Sequence, residues 1–377
     1  MTTSHDNTET LTARGRVLML APHPGIPGPV PGPIAKVAYR LAEALGALGY
    51  VVDTDPWGRH RRDEGLARKV LGRASDLIRI RRHIRRGSYD LVFVNTTHDL
   101  PAMLRDLLLI LPSRGRVKWV LLIHGSHFRP GHLVFDMGVR RLLGRASAVL
   151  LLSSAEVAEW SRFYPPGRYR LVANALAPTP RDERVPVRAP RQPGVPELLF
   201  VGRLIREKGV YELIDAFADV RSRRACRLTV AGEGPELDRL RLRASRLGID
   251  RDVEFTGHLP ENELDRMYRR ADVLVLPSYS EGLPTVLLEA MSVGLPIVTT
   301  RIRGAADHLV EGENALFVPM RESDALAGAL DRLLDDEALR RAMGQNNLRK
   351  SEDFAPAKVA EVYARVFDEV MGRKDGR

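Results

Sequence analysis

The chain has 377 residues, 44% of them hydrophobic and 28% charged, with a formal net charge of +10. That length favours two domains over one, and the composition argues against wholesale disorder, a collagen-like repeat and a membrane-embedded bundle. A single cysteine, Cys226, rules out an internal disulfide and a cysteine-based metal cluster, which fits a reducing compartment.

The opening MTTSHDNTETL lacks the charged start and apolar stretch of a secretory signal, so a cytoplasmic location is expected. Strand-like runs then alternate with helical patterns, the mark of parallel sheets covered by helices. In the first half the strands are RVLMLA (16–21), YVV (50–52), DLVFV (90–94), KWVLLI (118–123) and AVLLL (148–152). None approaches the ~18 to 20 apolar residues needed to span a bilayer. The loop HPGIPGPVPGP (23–33) is glycine-rich, but Gly25, Gly28 and Gly32 do not fit the dinucleotide fingerprint, and no phosphate-loop motif of the NTPase type occurs anywhere. Asp53-Thr54-Asp55, just past a strand, and Asp250-Arg251-Asp252, in a turn, imitate a metal-binding aspartate pair. Aspartates are common at such places for backbone hydrogen bonding, so no metal site is assigned.

Charge is unevenly spread. Residues 1–185 hold 28 Lys+Arg against 16 Asp+Glu, and the remainder 30 against 32. Within the first half, residues 59–86 carry 11 basic and 3 acidic side chains. Leu66, Val70, Ala74, Leu77, Ile78 and Ile84 recur there at helical spacing, so an amphipathic helix flanked by arginine is expected. Two roles fit it equally: attraction to an anionic membrane surface, or a sheet-covering helix in a chain where Arg outnumbers Lys by 51 to 7. Nucleic acid is not expected as a partner, because the basic run has no interleaved aromatics and no recognition motif.

Six prolines between 175 and 196 deny any regular element and place the interdomain linker there. The expected division is 1–185, 186–354 and a closing helix in 355–377. The second half resumes with ELLFVG (197–202), RLTVAG (227–232), VEFTG (253–257), VLVLP (273–277), PIVTT (296–300) and ALFVP (315–319). Ligands of open parallel sheets bind at the carboxyl ends of strands, so a cleft between the two sheets is the expected site.

Two motifs in this half carry chemistry. GRLIREKG (202–209) follows the strand directly: Gly202 permits close backbone approach, and Arg203 and Lys208 can aim fixed charges at a phosphate. SEGLPTVLLEAMSVGLPIV (280–298) sets Glu281 and Glu289 eight apart, with Gly282, Leu283, Pro284 and Thr285 leading into a helix. Unpaired N–H groups at such a helix start can receive a phosphate or a sugar hydroxyl. The two carboxylates, separated by two helical turns, cannot share one metal ion and suit hydroxyls at two ends of an extended ligand.

With these motifs the chain resembles the retaining glycosyltransferases of family 4 along nearly its whole length. GRLIREKG is similar to that family's donor-diphosphate motif and Glu281 to Glu289 to its E-x7-E signature, while AGEGPE (231–236) and FTGHLPENEL (255–264) match two further segments in order. The resemblance implies the α/β GT-B fold, two Rossmann-like domains whose parallel sheets face a central cleft. It also implies that Arg203 and Lys208 hold the diphosphate, that Glu289 holds the ribose hydroxyls, and that Glu281 with the Gly282–Thr285 backbone holds the donor sugar and phosphates. Gly202 and Gly32 would line the donor, and Gly232 with the His258 and Leu259 backbone would border the base. His124, ending KWVLLI, is similar to the family's histidine below the donor sugar, with His127 as a competitor. The departures are Gly32, Pro33 and Ala35 in the first loop, and Ala306 and Asp307 where proline and glutamate are common.

The implied reaction moves a hexosyl unit from a nucleotide diphosphate sugar, with UDP or GDP as the carrier, to a glycan or lipid-linked acceptor at the inner membrane face. Neither metal nor cofactor is implied. A small soluble acceptor, or donor binding or epimerisation without transfer, are the alternatives. Val359, Val362, Tyr363, Val366 and Phe367 lie on one side of the last helical pattern, which in the resembled fold crosses back to the first domain.

Overall fold

The computed structural model describes residues 13–22, 33–57, 66–112, 115, 117–125, 133–164, 168–176 and 194–373. Most of the proline-rich linker, Gly32 and His127 lie outside the described residues. Among the latter, β1 (Gly15–Ala21), β2 (Tyr50–Pro56), β3 (Leu91–Thr97), β4 (Lys118–His124), β5 (Ala148–Leu151) and β6 (Tyr169–Leu171) form one sheet in the order β2-β1-β3-β4-β5-β6. A second sheet contains β7 (Glu197–Val201), β8 (Arg227–Ala231), β9 (Val253–Gly257), β10 (Val273–Leu276), β11 (Ile297–Thr300) and β12 (Ala315–Val318), in the order β12-β11-β10-β7-β8-β9. All neighbours in the second sheet pair in parallel. Both sheets are six-stranded, and the architecture is α/β of the GT-B type. Strands β5, β7 and β10 are buried along their whole length, which is why they read as unbroken apolar runs instead of alternating ones. The three-residue β6 has no such run and was not expected.

Packing groups the chain into two units. One comprises Met1–Ile123, His132–Leu150 and Ala360–Arg377; the other comprises His124–Gly131 and Leu151–Val359. The first unit is completed by the end of α13 (Pro356–Met371). Phe367 meets the rings of Tyr50 and Phe93 at centroid distances of 6.1 and 5.4 Å, and Tyr363 meets Phe93 at 5.8 Å. Buried Asp368 accepts a hydrogen bond from the Tyr50 hydroxyl at 2.6 Å and from Arg14 Nε at 3.0 Å.

Helix α2 (Leu66–Arg86) turns a different face inward from the one its leucines and isoleucines suggest. Asp76 and Ile80 are buried, Ala74 is exposed and Ile78 is 52% exposed. The reason is the edge strand β2 beneath it. Asp55 projects from β2 at 5% exposure and is paired with Arg79 and, at 3.0 Å, with His83. The Tyr89 hydroxyl bonds to Asp53, which also receives Arg16 at 3.0 Å. Ion pairs thus draw a polar face of α2 onto the sheet and leave part of the apolar stripe outside. The Asp53-Thr54-Asp55 pair lies within the strand, not past it, and both carboxylates already have cationic partners.

Helix α5 (Ser154–Phe163) belongs to the second unit. Its start is a variant of the capping box, in which the returning carboxylate reaches the residue before the cap. Ser153 accepts from the Glu156 N–H at 3.1 Å, and the Glu156 carboxylate turns back to accept from the Leu152 N–H at 3.2 Å. Asp307 of α10 (Arg303–His308) accepts from the Ser154 N–H at 2.6 Å and from its hydroxyl, while Arg303 pairs with Glu159 at 2.9 Å. Glu156 is 2% exposed, and burial raises its pKa to about 7 against the lowering effects of the Leu152 N–H, Arg303 and Ser153, with Glu159 adding a further rise.

Two outcomes follow from this packing. Asp368→Ala takes from the buried Tyr50 hydroxyl the shorter of its two acceptors and leaves the Ala364 carbonyl at 3.2 Å, a loss of about 1 to 1.5 kcal/mol after discounting the half-exposed Arg14; differential scanning calorimetry is expected to show the first unit melting about 2 to 6 °C lower. For Glu156 the folded state holds its proton more tightly than the unfolded chain, so the group costs nothing at low pH. The destabilisation grows as pH rises from the unfolded value towards about 7 and is full above it. Glu156→Gln is therefore expected to melt higher than the parent at pH ~8 and no higher at pH ~3.5, below the unfolded value; an equal gain at both would show that ionisation is not the cause.

Candidate active site

The second sheet has one topological switch point. From β7 the chain steps outward through β8 to β9, then returns to the other side of β7 as β10 and continues to β11 and β12. The loops leaving β7 and β10 therefore diverge at the carboxyl ends of adjacent strands, the place where such sheets open a crevice.

After β7, Gly202 donates to the Ala231 carbonyl at 3.0 Å, and Leu204, fully buried, donates to the Glu233 carbonyl at 2.9 Å. Leu204 anchors the loop while Arg203 beside it is exposed. A 3-10 turn over Arg206–Lys208 ends at Gly209, whose φ of 66° lies in the left-handed region. A β-carbon there would strike the Pro277 carbonyl oxygen, so only glycine lets this turn lie against the end of β10. The Tyr279 N–H donates to the Glu207 carbonyl at 2.8 Å, and the Tyr279 hydroxyl to Glu212 at 2.7 Å, tying the two loops together.

That approach brings Lys208 Nζ into a direct ion pair with the Glu281 carboxylate. The side chains are 20% and 17% exposed, so solvent reaches the pair. Beyond Glu281, the Gly282 carbonyl accepts from the Gly304 N–H at 2.7 Å, a spacing that a β-carbon on Gly304 would obstruct. Gly282 also lies against α5: a β-carbon built on it would stand 3.7 Å from a Glu156 oxygen. Leu283 is 4% exposed and its carbonyl accepts from Asn174 Nδ2 at 2.8 Å. Pro284 then opens α9 (Thr285–Ser292) with no side-chain cap, so the first N–H groups of α9 point from a loop fixed on both sides. One turn before its end, Glu289 accepts from the Tyr268 hydroxyl at 2.7 Å. Burial and the neighbouring carboxylate push the Tyr268 pKa well up, so it stays a donor.

Next to β7, the β8–β9 register shifts by one residue between Val230 and Ala231, and beyond the bulge Gly232 donates to the Gly257 carbonyl at 2.8 Å. Exposed His258 and half-buried Leu259 continue from Gly257. His124 ends β4 at 7% exposure, and burial lowers its pKa to about 4, so the ring is neutral at physiological pH. It groups with the second unit although its strand starts in the first.

The structure thus brings Gly202, Lys208, Glu281, Gly282 and the start of α9 to one switch point, with Gly232 one strand further out. Arg203 shares the loop but not the ion pair. Sequence reasoning missed Tyr268 behind Glu289, Asn174 under Leu283, and the Asp307 and Glu156 contacts. Only the Ser153 to Glu156 spacing, a capping-box pattern, offered a signal. Asp307 stands where the resembled family has glutamate, and it is committed here to Ser154. Among the described residues no group of three or more His, Cys, Asp or Glu is arranged to hold a metal ion.

Comparison with known proteins agrees with this arrangement. Residues 34–179 match the family model described as Glycosyltransferase Family 4, and residues 183–350 match that described as Glycosyl transferases group 1. A D-inositol 3-phosphate glycosyltransferase from Corynebacterium efficiens is 32% identical over 246 residues, covering 61% of this chain and 58% of that protein. A glycogen synthase from Mycobacterium tuberculosis is 39% identical over 183 residues, covering 48% and 44% respectively. The chain therefore spans only about half the length of these curated relatives. Among solved structures, a sucrose-phosphate synthase from Thermosynechococcus elongatus superposes with a TM-score of 0.76 at 21% identity, over 95% of this chain and all of that one. The Anabaena protein HepE, solved with UDP and glucose, superposes at 0.72 with 18% identity, over 94% of this chain and all of that one. With both halves matched in order and the fold shared, the chain belongs to glycosyltransferase family 4.

Proposed function

We propose that the protein transfers a hexosyl unit from a nucleotide diphosphate sugar to an acceptor hydroxyl, retaining the configuration at the anomeric carbon. The observation that carries this reading is the Lys208–Glu281 pair at the switch point, next to the uncapped start of α9. Glu289 stands about one turn into the same helix, and relatives named as glycosyltransferases support the reaction class. The whole activity, including donor and acceptor, is part of the proposal.

In the reaction the acceptor oxygen bonds to the anomeric carbon while the bond from that carbon to the diphosphate breaks, leaving negative charge on the departing oxygen. Arg203, Lys208 and the roughly half positive charge at the start of α9 offset it, in positions set before reaction. Glu281 orients the donor sugar and favours a cationic transition state, Glu289 takes the ribose hydroxyls, and the neutral His124 borders the sugar. The departing phosphate accepts the acceptor proton. No metal is assigned a role, and transfer is expected to be unaffected by a chelator. The acceptor is taken to be a glycan or lipid-linked hydroxyl on the cytoplasmic face of a membrane, supported by the arginines of α2. A small soluble acceptor is supported instead by the relative named for D-inositol 3-phosphate.

The experiment is a panel of UDP-, GDP- and TDP-sugars scored for thermal stabilisation, hydrolysis and transfer, with the product anomer read by NMR. One of them is expected to stabilise the protein and be consumed with retention; no response to any, or an inverted product, overturns the reading. Arg203→Ala and Lys208→Ala are each expected to lose about tenfold or more in turnover, matching one charge-assisted bond of about 1.5 to 3 kcal/mol. Glu281→Gln separates two roles. It frees Lys208 and removes a carboxylate from beside the diphosphate, so nucleoside diphosphate binding by calorimetry is expected to tighten about three- to tenfold while transfer slows at least about tenfold. Weaker binding with unchanged transfer would contradict the assignment.

A further inference from the structure

In the first unit, α3 (Leu100–Ile110) packs against both α2 and α4 (Leu133–Arg145), so the three helices form one layer over the sheet. The inner side of α3 buries Ala102, Met103, Asp106, Leu109 and Ile110. Its outer side carries Leu100, Leu104 and Leu108, exposed by 50, 48 and 55%. Spaced by four, they form a single apolar ridge about 12 Å long. Ile78 on α2 and Met137 on α4, 52 and 44% exposed, extend apolar surface onto both flanking helices. A row of three half-exposed leucines is not the scattered apolar exposure that ordinary surfaces show.

The charges of this layer are sorted. Arg81 of α2 donates to the Leu108 carbonyl at 2.5 Å, which fixes the arginine-rich end of α2 beside the ridge. Arg82 and Arg85 share the exposed face of α2 with Ile78, Arg86 is exposed next to them, and Arg141 and Arg145 are exposed on α4. Two of the acids face inward, Asp76 buried against Arg79 and Asp106 fully buried with the Trp57 indole N–H donating to it at 2.7 Å, while Asp136 of α4 is half-buried. Exposed Asp99 is occupied in capping α3. An apolar line bordered by cations complements an anionic bilayer, with the apolar side chains in the headgroup boundary and the guanidinium groups at lipid phosphates. A second copy of this chain fits less well, because an isologous contact would set the same arginines against each other.

We infer that the outer face of α2 and α3 docks on an anionic membrane, with Leu100, Leu104 and Leu108 entering the interface and Arg82, Arg85 and Arg86 holding lipid phosphates. This deepens the membrane-acceptor reading above and rests on it. Arg79, although part of the same basic run, takes no part, because it is held by Asp55 and Asp76.

The test is flotation of the full chain with vesicles of phosphatidylcholine alone or mixed with phosphatidylglycerol, at low and high salt. Binding is expected only with phosphatidylglycerol and is expected to weaken with salt. A variant with Leu100, Leu104 and Leu108 all changed to Gln is expected to lose at least about tenfold in vesicle affinity. One with Arg82, Arg85 and Arg86 changed to Gln is expected to lose the preference for anionic lipid. Both are expected to keep donor hydrolysis. Equal binding to both vesicles, or an undiminished leucine variant, overturns the inference, as does sedimentation showing a dimer that the leucine variant dissolves. A parent protein that consumes a nucleotide sugar yet ignores vesicles sinks the docking alone, whereas one that binds vesicles but consumes no donor sinks the transferase reading alone.

Discussion

Everything proposed for the site depends on how closely two backbones approach at the carboxyl end of the second sheet. Lys208 and Glu281 come from loops that are distant in sequence, and they meet because Gly209 lets a turn rest on the Pro277 carbonyl. A larger residue at 209 would push the lysine loop off the strand end and break the pair without altering either charged side chain. The same device recurs where Gly304 meets the Gly282 carbonyl. Glycine here sets distance, and distance sets the electrostatics of the pocket.

The ion pair also alters how the electrostatics of the site should be understood. Two cations and a helix start suggest a strongly positive pocket, but one of the cations is already balanced by a carboxylate of the same site. The switch point is therefore closer to neutral than a count of its basic residues implies. In the proposed reaction an arriving diphosphate competes with Glu281 for the lysine instead of meeting it unclaimed. Such an arrangement favours charge that develops during reaction over charge present at the outset.

The strands of both sheets were legible because parallel strands buried on two faces are continuous runs of Val, Leu and Ile, and the glycines and charged residues at their ends stand out against that background. The short β6 and the orientation of α2 were not. Burial of α2 is governed by Asp55 of an edge strand meeting Arg79 and His83 from another segment, an interaction that helical periodicity cannot register. The site divided in the same way: motif residues flanking the switch point were visible, whereas Tyr268, Asn174 and Asp307 act through tertiary contacts with no local pattern. The leucine ridge on α3 was hidden for the opposite reason, since an apolar run gives no hint of which side faces outward.

Helix α13 begins among residues of the second unit and ends in the core of the first, where Phe367 and Asp368 complete a wall started by Tyr50 and Phe93. During synthesis the amino-terminal part of the chain thus emerges without one of its own core elements and must wait for nearly 270 further residues after Phe93 before that element is made. Folding on the ribosome cannot run simply from front to back. The stretch between must be accommodated while the earlier sheet remains open on one side, so the assembly of this chain is where chaperones have the most to act upon.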